Sequence, residues 1–367
     1  MTVKVGAQDF PAAPSAAILY DNASPNPPVS PNLPQRQPPM PRPLILLVLL
    51  VLAVPAAADH HGDHSDKLKA LIIDGQNNHV DWPKTTIMMR DYLEDSGRFE
   101  VDIARTQFTW KGEKWMDKFP LGDGVEYENL DKPKTDPDFA PEFANYDVVI
   151  SNFGWNAAPW PDATKQSFND YVRGGGGLVI IHAADNSFGD WEAFNEMIGL
   201  GGWGGRNEKS GPYVYYKDDQ LVRDTSKGNG GAHGPQREFQ VVTRDPDHPV
   251  MKGLPNVWMH TRDELYQQLR GPANHMTVLA TSYADETKGG SGRHEPTILT
   301  IDYGDGRVFH TPLGHADYSF ESVGFQTILL RGTEWAATGK VTIEPPKDFP
   351  TAEKSSSRNY EPAAVAN

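Results

Sequence analysis

The chain has 367 residues, of which 38% are apolar and 10% aromatic, with a formal net charge of -15 and no cysteine. That is enough apolar material for a packed core, so the chain reads as globular. The acidic balance disfavours duplex nucleic acid and anionic membrane surfaces as partners, because both would repel it at long range. The missing thiols exclude cysteine nucleophiles outright.

Met1 to Pro39 is rich in Pro, Ala, Asn and Ser and lacks apolar periodicity, so it reads as a disordered extension, or as untranslated sequence if initiation is at Met40. Met40-Pro41-Arg42-Pro43, the apolar run Leu44 to Val54 and then Pro55-Ala56-Ala57-Ala58 have the order of a secretory signal. The basic start, the apolar stretch too short to span a bilayer and the small-residue site place a signal peptide at 40–58, cut near Ala58. The mature protein is then expected to be secreted or periplasmic, without a stable membrane span; a retained N-terminal anchor is the alternative. Asp59-His60-His61-Gly62-Asp63-His64 follows, a run suited either to a soft divalent metal or to a solvated tail.

From Lys67 the pattern becomes alternating strands and helices. Lys69 to Asp74 predicts a buried strand, Asp81 and Pro83 open a helix reaching Asp95, and Phe99 to Ala104 predicts the next strand. Residues 107 to 145 read as a long loop or excursion, and Tyr146 to Ser151 resumes the sheet. Asp162 is expected to cap a helix bearing Phe168, Tyr171 and Val172 on one face. Gly174-Gly175-Gly176-Gly177 then leads into Leu178-Val179-Ile180-Ile181, an unbroken apolar run typical of a strand buried on both faces, ending at His182. Trp191 to Leu200 predicts a helix, and the glycine-rich residues 201 to 236 a loop over the sheet edge. Strands are expected at Glu238 to Thr243, Thr277 to Thr281, Pro296 to Tyr303 and Arg307 to Thr311, with a last helix from about Ser322 to Ala337. Residues 339–367 read as a loosely held tail. The alternation predicts an α/β fold, a mostly parallel sheet flanked by helices.

Residues leaving the carboxyl ends of parallel strands sit where open α/β sheets build their sites. His182 is so placed, with Asp185 and Asn186 in the same turn, and Asp185 is expected to orient its imidazole. His79, in the loop after the first strand, belongs to the same edge, or else caps the following helix. His260, Arg262, Asp263 and Glu264 form a second cluster; on an extended segment His260, Arg262 and Glu264 share one face and Asp263 takes the other. A solvated ion pair with Asp263 capping a turn is the alternative. His248 and His294, beside prolines, read as structural. Trp82, Trp155, Trp160 and Trp203 suit stacking on sugar rings, although large aromatics more often fill cores.

The succession Gly175 to Ala184, then Asp245-Pro246-Asp247-His248-Pro249-Val250 with Gly253-Leu254-Pro255, then Asp263-Glu264-Leu265-Tyr266, and finally Gly306 to His315 resembles the trehalose-utilisation (ThuA-like) family. The order and spacing match across roughly Lys69 to Ala337, which places the domain at residues 67–338. It implies a flavodoxin-like or class I glutamine amidotransferase-like three-layer sandwich without the nucleophile, since Ala183 and Ala184 follow His182, and a role in carbohydrate catabolism, often on sugars oxidised to a keto form. It includes Asp263 and Glu264 in a family motif, and places His315 where amidotransferase relatives carry a late histidine base. The expected partner is therefore a small-molecule carbohydrate; no oligomeric state is implied.

On this reading His182, Asp185, Glu264 and His315 carry acid-base chemistry, while His79, His260, Arg262 and Asp263 hold substrate. A non-catalytic sugar- or partner-binding module is the alternative. No pair among His79, His182, His260 and His315 has the spacing of a helical zinc motif, yet these four with their carboxylates would suit a divalent cation.

Overall fold

The computed structural model describes residues 67–362; the extension, the signal sequence and the histidine run at 60 to 64 lie outside that range. In chain order the regular elements are β1 Leu68–Gln76, α1 Trp82–Asp95, β2 Phe99–Trp110, α2 Glu113–Met116, β3 Glu128–Leu130, β4 Val148–Ser151, α3 Asp162–Arg173, β5 Gly177–Ile181 and α4 Glu192–Ile198. The second half holds β6 Tyr213–Lys217, β7 Gln220–Asp224, β8 Ala232–His233, β9 Arg237–Thr243, β10 Val257–Asp263, β11 Tyr266–Gln267, β12 Met276–Ala284, β13 Arg293–Tyr303, β14 Gly306–Thr311, α5 Asp317–Phe320 and α6 Val323–Thr338.

One large sheet runs β10-β9-β12-β13-β14-β5-β4-β1-β2-β3, with the β6-β7 hairpin attached to β13. From β14 to β3 every pairing is parallel. From β14 outward through β13, β12, β9 and β10 every pairing is antiparallel. The expected α/β sandwich is thus present, with a larger antiparallel wing than the sequence pattern suggested.

The parallel strands are continuous apolar runs because both faces are covered. In β1, Ala70 and Ile72 enter a core with Met88, Met89 and Leu93 of α1 and Ile328 and Leu329 of α6. Leu71 and Ile73 point the other way, into a core with Phe168 and Val172 of α3 and Phe194 and Met197 of α4. The two-residue period of the strand therefore feeds two separate cores, one on each face of the sheet.

Several expectations need correction. Asp162 opens α3 without capping it; its exposed carboxylate pairs with Lys165 at 2.7 Å. Residues 201 to 236 are not one loop, since they contain β6, β7 and β8. The segment after Lys340 is not loosely held as far as Pro362: Ile343, Phe349 and Tyr360 pack on the first core. Arg331 donates to the carbonyls of Ile343, Val250, Pro249 and Lys252. Glu334 accepts from the backbone N–H groups of Thr342 and Ile343. No helix among the described residues is long and apolar enough to cross a membrane.

Candidate functional site

The loops leaving the carboxyl ends of β1, β4, β5 and β14 meet at one rim of the sheet, bringing His79, Asn152, His182 and His315 together around a cavity of about 10 Å³. That is room for one water-sized species. The imidazole centroids lie 4.9 Å apart for His79 and His182, 4.5 Å for His79 and His315, and 5.4 Å for His182 and His315. One donor atom from each ring falls within 4.8 Å of the others.

His182 is held by backbone and by hydrogen bond. Its φ of +45° at the end of β5 is a left-handed conformation that a non-glycine residue adopts at a cost of about 1 kcal/mol or more. Its Nδ1 lies 2.7 Å from the carbonyl of Pro312. A carbonyl only accepts, so Nδ1 donates and the lone pair is on Nε2, which is buried and has no protein partner. Burial lowers the pKa of His182, outweighing its neighbouring carboxylates. His79 behaves alike: burial first, then the His182 and His315 charges, push it well below the ordinary histidine range, and its Nε2 is also buried without a partner.

His315 differs. Its Nδ1 stands 3.0 Å from Glu264 Oε2, at ion-pair distance though without hydrogen-bond alignment. Burial alone would lower its pKa, but the Glu264 carboxylate more than offsets that and the net shift is upward. Glu264 is in turn lowered, because His315 outweighs its own burial.

Behind this rim Asp263 acts as a tether. Its Oδ2 accepts from Gly314 N and His260 Nε2, both at 2.8 Å, and its Oδ1 from Glu264 N at 2.8 Å, Ser319 Oγ at 2.9 Å and His315 N at 3.0 Å. Burial would raise this carboxyl; the His260 hydrogen bond and charge, with the backbone donors, hold it far below the usual range instead. Gly314 meets this tether with φ +105°, which a side chain would strain.

The structure corrects four of the sequence-based assignments. Asp185 does not orient His182; it is fully buried and its Oδ2 lies 3.2 Å from His310 Nε2. His260 and Asp263 are fully buried and bonded to each other, so neither is placed to touch substrate. Arg262 turns outward, donating to Gln236 at 2.8 Å and lying 4.6 Å over the Tyr318 ring. An irregularity between His260 and Asp263 breaks the simple alternation that put Asp263 on the opposite face. Three of the four expected imidazoles converge; His260 stays behind Asp263. Residues that the sequence reading did not single out also border the cavity: Asp81, whose carboxyl burial raises, and Asn77 and Asn152. Their only sequence signal is position, just past strands β1 and β4 or at the start of α1.

A family profile described as "Trehalose utilisation" (ThuA) matches residues 69–336. No curated protein matches the chain. Among solved structures it is similar to a ThuA-like protein from Parabacteroides merdae, at 45% identity and a TM-score of 0.71, covering 80% of this chain and 98% of that one. It is also similar to a ThuA-like protein from Bacteroides uniformis, at 20% identity and a TM-score of 0.49, with the same coverage of both chains. The family profile and the match to the Parabacteroides merdae protein agree: the chain belongs to the ThuA, trehalose-utilisation family.

Proposed function

We propose that the protein is an enzyme acting on a neutral carbohydrate, with His79, His182 and His315 holding a divalent cation and Glu264 moving a proton beside it. One observation carries this reading: two buried Nε2 atoms, on His79 and His182, have no partner and share a water-sized cavity with a third imidazole. Buried acceptors left unbonded are costly, and neutral imidazoles are common ligands of divalent metals. The Pro312 carbonyl on His182 and the Glu264 carboxylate beside His315 are of the kind that orient ligating histidines. A cation bound there would polarise a substrate oxygen.

For a keto-sugar glycoside such as a 3-keto-disaccharide, Glu264 removes the acidic proton on the carbon beside the carbonyl. The electron pair moves in to form a double bond, the glycosidic C–O bond breaks, and the departing oxygen takes the proton that Glu264 has just accepted, while His315 stays neutral on the cation. Each transfer contributes about a hundred- to ten-thousand-fold. Export to the periplasm or medium is part of the proposal, supported by the basic, apolar and small-residue succession from Met40 to Ala58.

A second reading, a sugar- or partner-binding module without turnover, is favoured by Ala183 and Ala184, which stand where fold relatives carry a nucleophile. Two measurements separate them. Metal analysis of purified protein is expected to give about one equivalent per chain, lost in His182→Ala; protein that neither carries nor takes up cobalt or zinc overturns the cation. Incubation with ordinary and 3-keto disaccharides is expected to give turnover that falls about a hundredfold or more in Glu264→Gln. Binding without turnover of any of them overturns catalysis and leaves the module.

A further inference from the structure

We infer that the aromatic cleft beside the histidine cluster binds additional rings of a neutral oligosaccharide, so that the protein handles glucans longer than a disaccharide; this rests on the carbohydrate reading above. The cleft encloses about 1410 Å³, beyond the roughly 300 to 1,000 Å³ of most small-molecule sites. Trp155, Trp160, Trp191, Trp203 and Phe188 line it. Flat aromatic faces of this kind suit the apolar faces of sugar rings.

Its polar atoms fit hydroxyl groups. Asn186 lines the cleft and is 97% buried, its relative exposure being 3%. Its amide nitrogen donates to Tyr266 Oη at 3.2 Å, while its Oδ1 is buried with no partner. Trp160 Nε1, in the same lining, is a buried donor with no partner. A sugar hydroxyl both donates and accepts, and so answers an orphan acceptor and an orphan donor alike.

The walls offer little for an anion. Arg206 spends its guanidinium on Asn195 Oδ1 and the carbonyls of Gly202 and Ser187, and Lys165 is paired with Asp162. Lys132 and the carboxylates Asp190 and Glu192 also line the cleft, so its wall carries both signs with no large excess of either, which suits an uncharged ligand.

Two connections tie the cleft to the histidines. Tyr266 contacts Trp203 at 4.8 Å between ring centroids on one side and His182 at 4.2 Å on the other. Trp155, 42% exposed, has its backbone N–H held by Asn78 Oδ1 at 2.9 Å, one residue before His79. The preceding Gly154 is needed for this approach, since a Cβ there would stand 2.3 Å from Asn77 Oδ1. A ring on Trp155 and a ring at His79 are therefore presented by one joined pair of loops.

The test is calorimetric titration of the full chain with glucose, trehalose and the α-1,4 and β-1,4 glucans from two to five units. Affinity is expected to rise about tenfold or more with length in at least one series, and Trp155→Ala to abolish that rise; a single stacked ring accounts for a change of that order. Equal affinity at every length, or a length gain untouched by Trp155→Ala, overturns the inference. Length-dependent binding without turnover keeps the cleft and removes the enzyme; turnover of 3-keto-disaccharides without any length effect does the reverse.

Discussion

At the scale of single residues, Asp263 has the most to lose. Five donors converge on one buried carboxylate, and an amide in its place would set an NH2 group against several of them. Asp263→Asn is expected to cost about 3 to 5 kcal/mol in urea denaturation, the range for breaking a buried ionic contact; a loss below about 1 kcal/mol would contradict the tether. Glu295 on β13 makes a separate case. Fully buried, with Ser291 Oγ donating at 2.6 Å, its carboxyl is pushed up by burial to about 7. A raised carboxyl stabilises the fold in its protonated form: the contribution is complete below the unfolded value and is lost as pH rises through about 7. The stability of the native protein is therefore expected to fall between about pH 4.5 and 7 by about 3 kcal/mol, and Glu295→Gln to flatten that slope, as read from denaturation midpoints across the range. Equal slopes in the two proteins would show that Glu295 is not responsible.

At the scale of elements, the strap after α6 is fixed by two side chains of that helix. Glu334 binds Arg98 at 3.0 Å as well as the strap's backbone, so Glu334→Ala strips partners from Thr342 and Ile343 and from a cation at once. The expected cost is about 2 kcal/mol, with protease cleavage appearing between residues 341 and 360; an uncut strap would mean that Arg331 and the apolar contacts suffice. No sequence pattern marks this docking, because Pro-rich polar segments look alike whether bound or free, and the residues that bind it lie on another element. What was legible follows the same physics. β1, β4 and β5 are buried on both faces and so are written as unbroken apolar runs, and the placement of His79 and His182 at their carboxyl edge follows from strand direction, whereas His315, after β14, is placed by the family resemblance. The β6-β7 hairpin was missed because its turn residues, Asp218 and Asp219, take φ of +50° and +56° without the glycine that usually marks such a turn. The Asp185 contact to His310 was hidden for a related reason: the left-handed backbone at His182 redirects the turn that follows, which no periodicity records.

At the scale of the whole molecule, a bound cation should act as a thermodynamic staple. Dialysis against a chelator is expected to lower the melting temperature, and zinc at a hundred times its dissociation constant to restore about 2.7 kcal/mol. His182→Ala should be indifferent to both treatments; a chelator-dependent shift that persists in it would place the ion elsewhere. The centre also joins the two ends of the folded domain, as the Asp81 carboxylate accepting the N–H of Asp317, 236 residues later, makes plain. Translation delivers His79 well before His315, with β2 to β14 made in between. On the proposed reading, a nascent chain halted before His315 would hold two of the three ligands and no enclosure, so metal ions would find nothing durable to grip until the loop after β14 had been made.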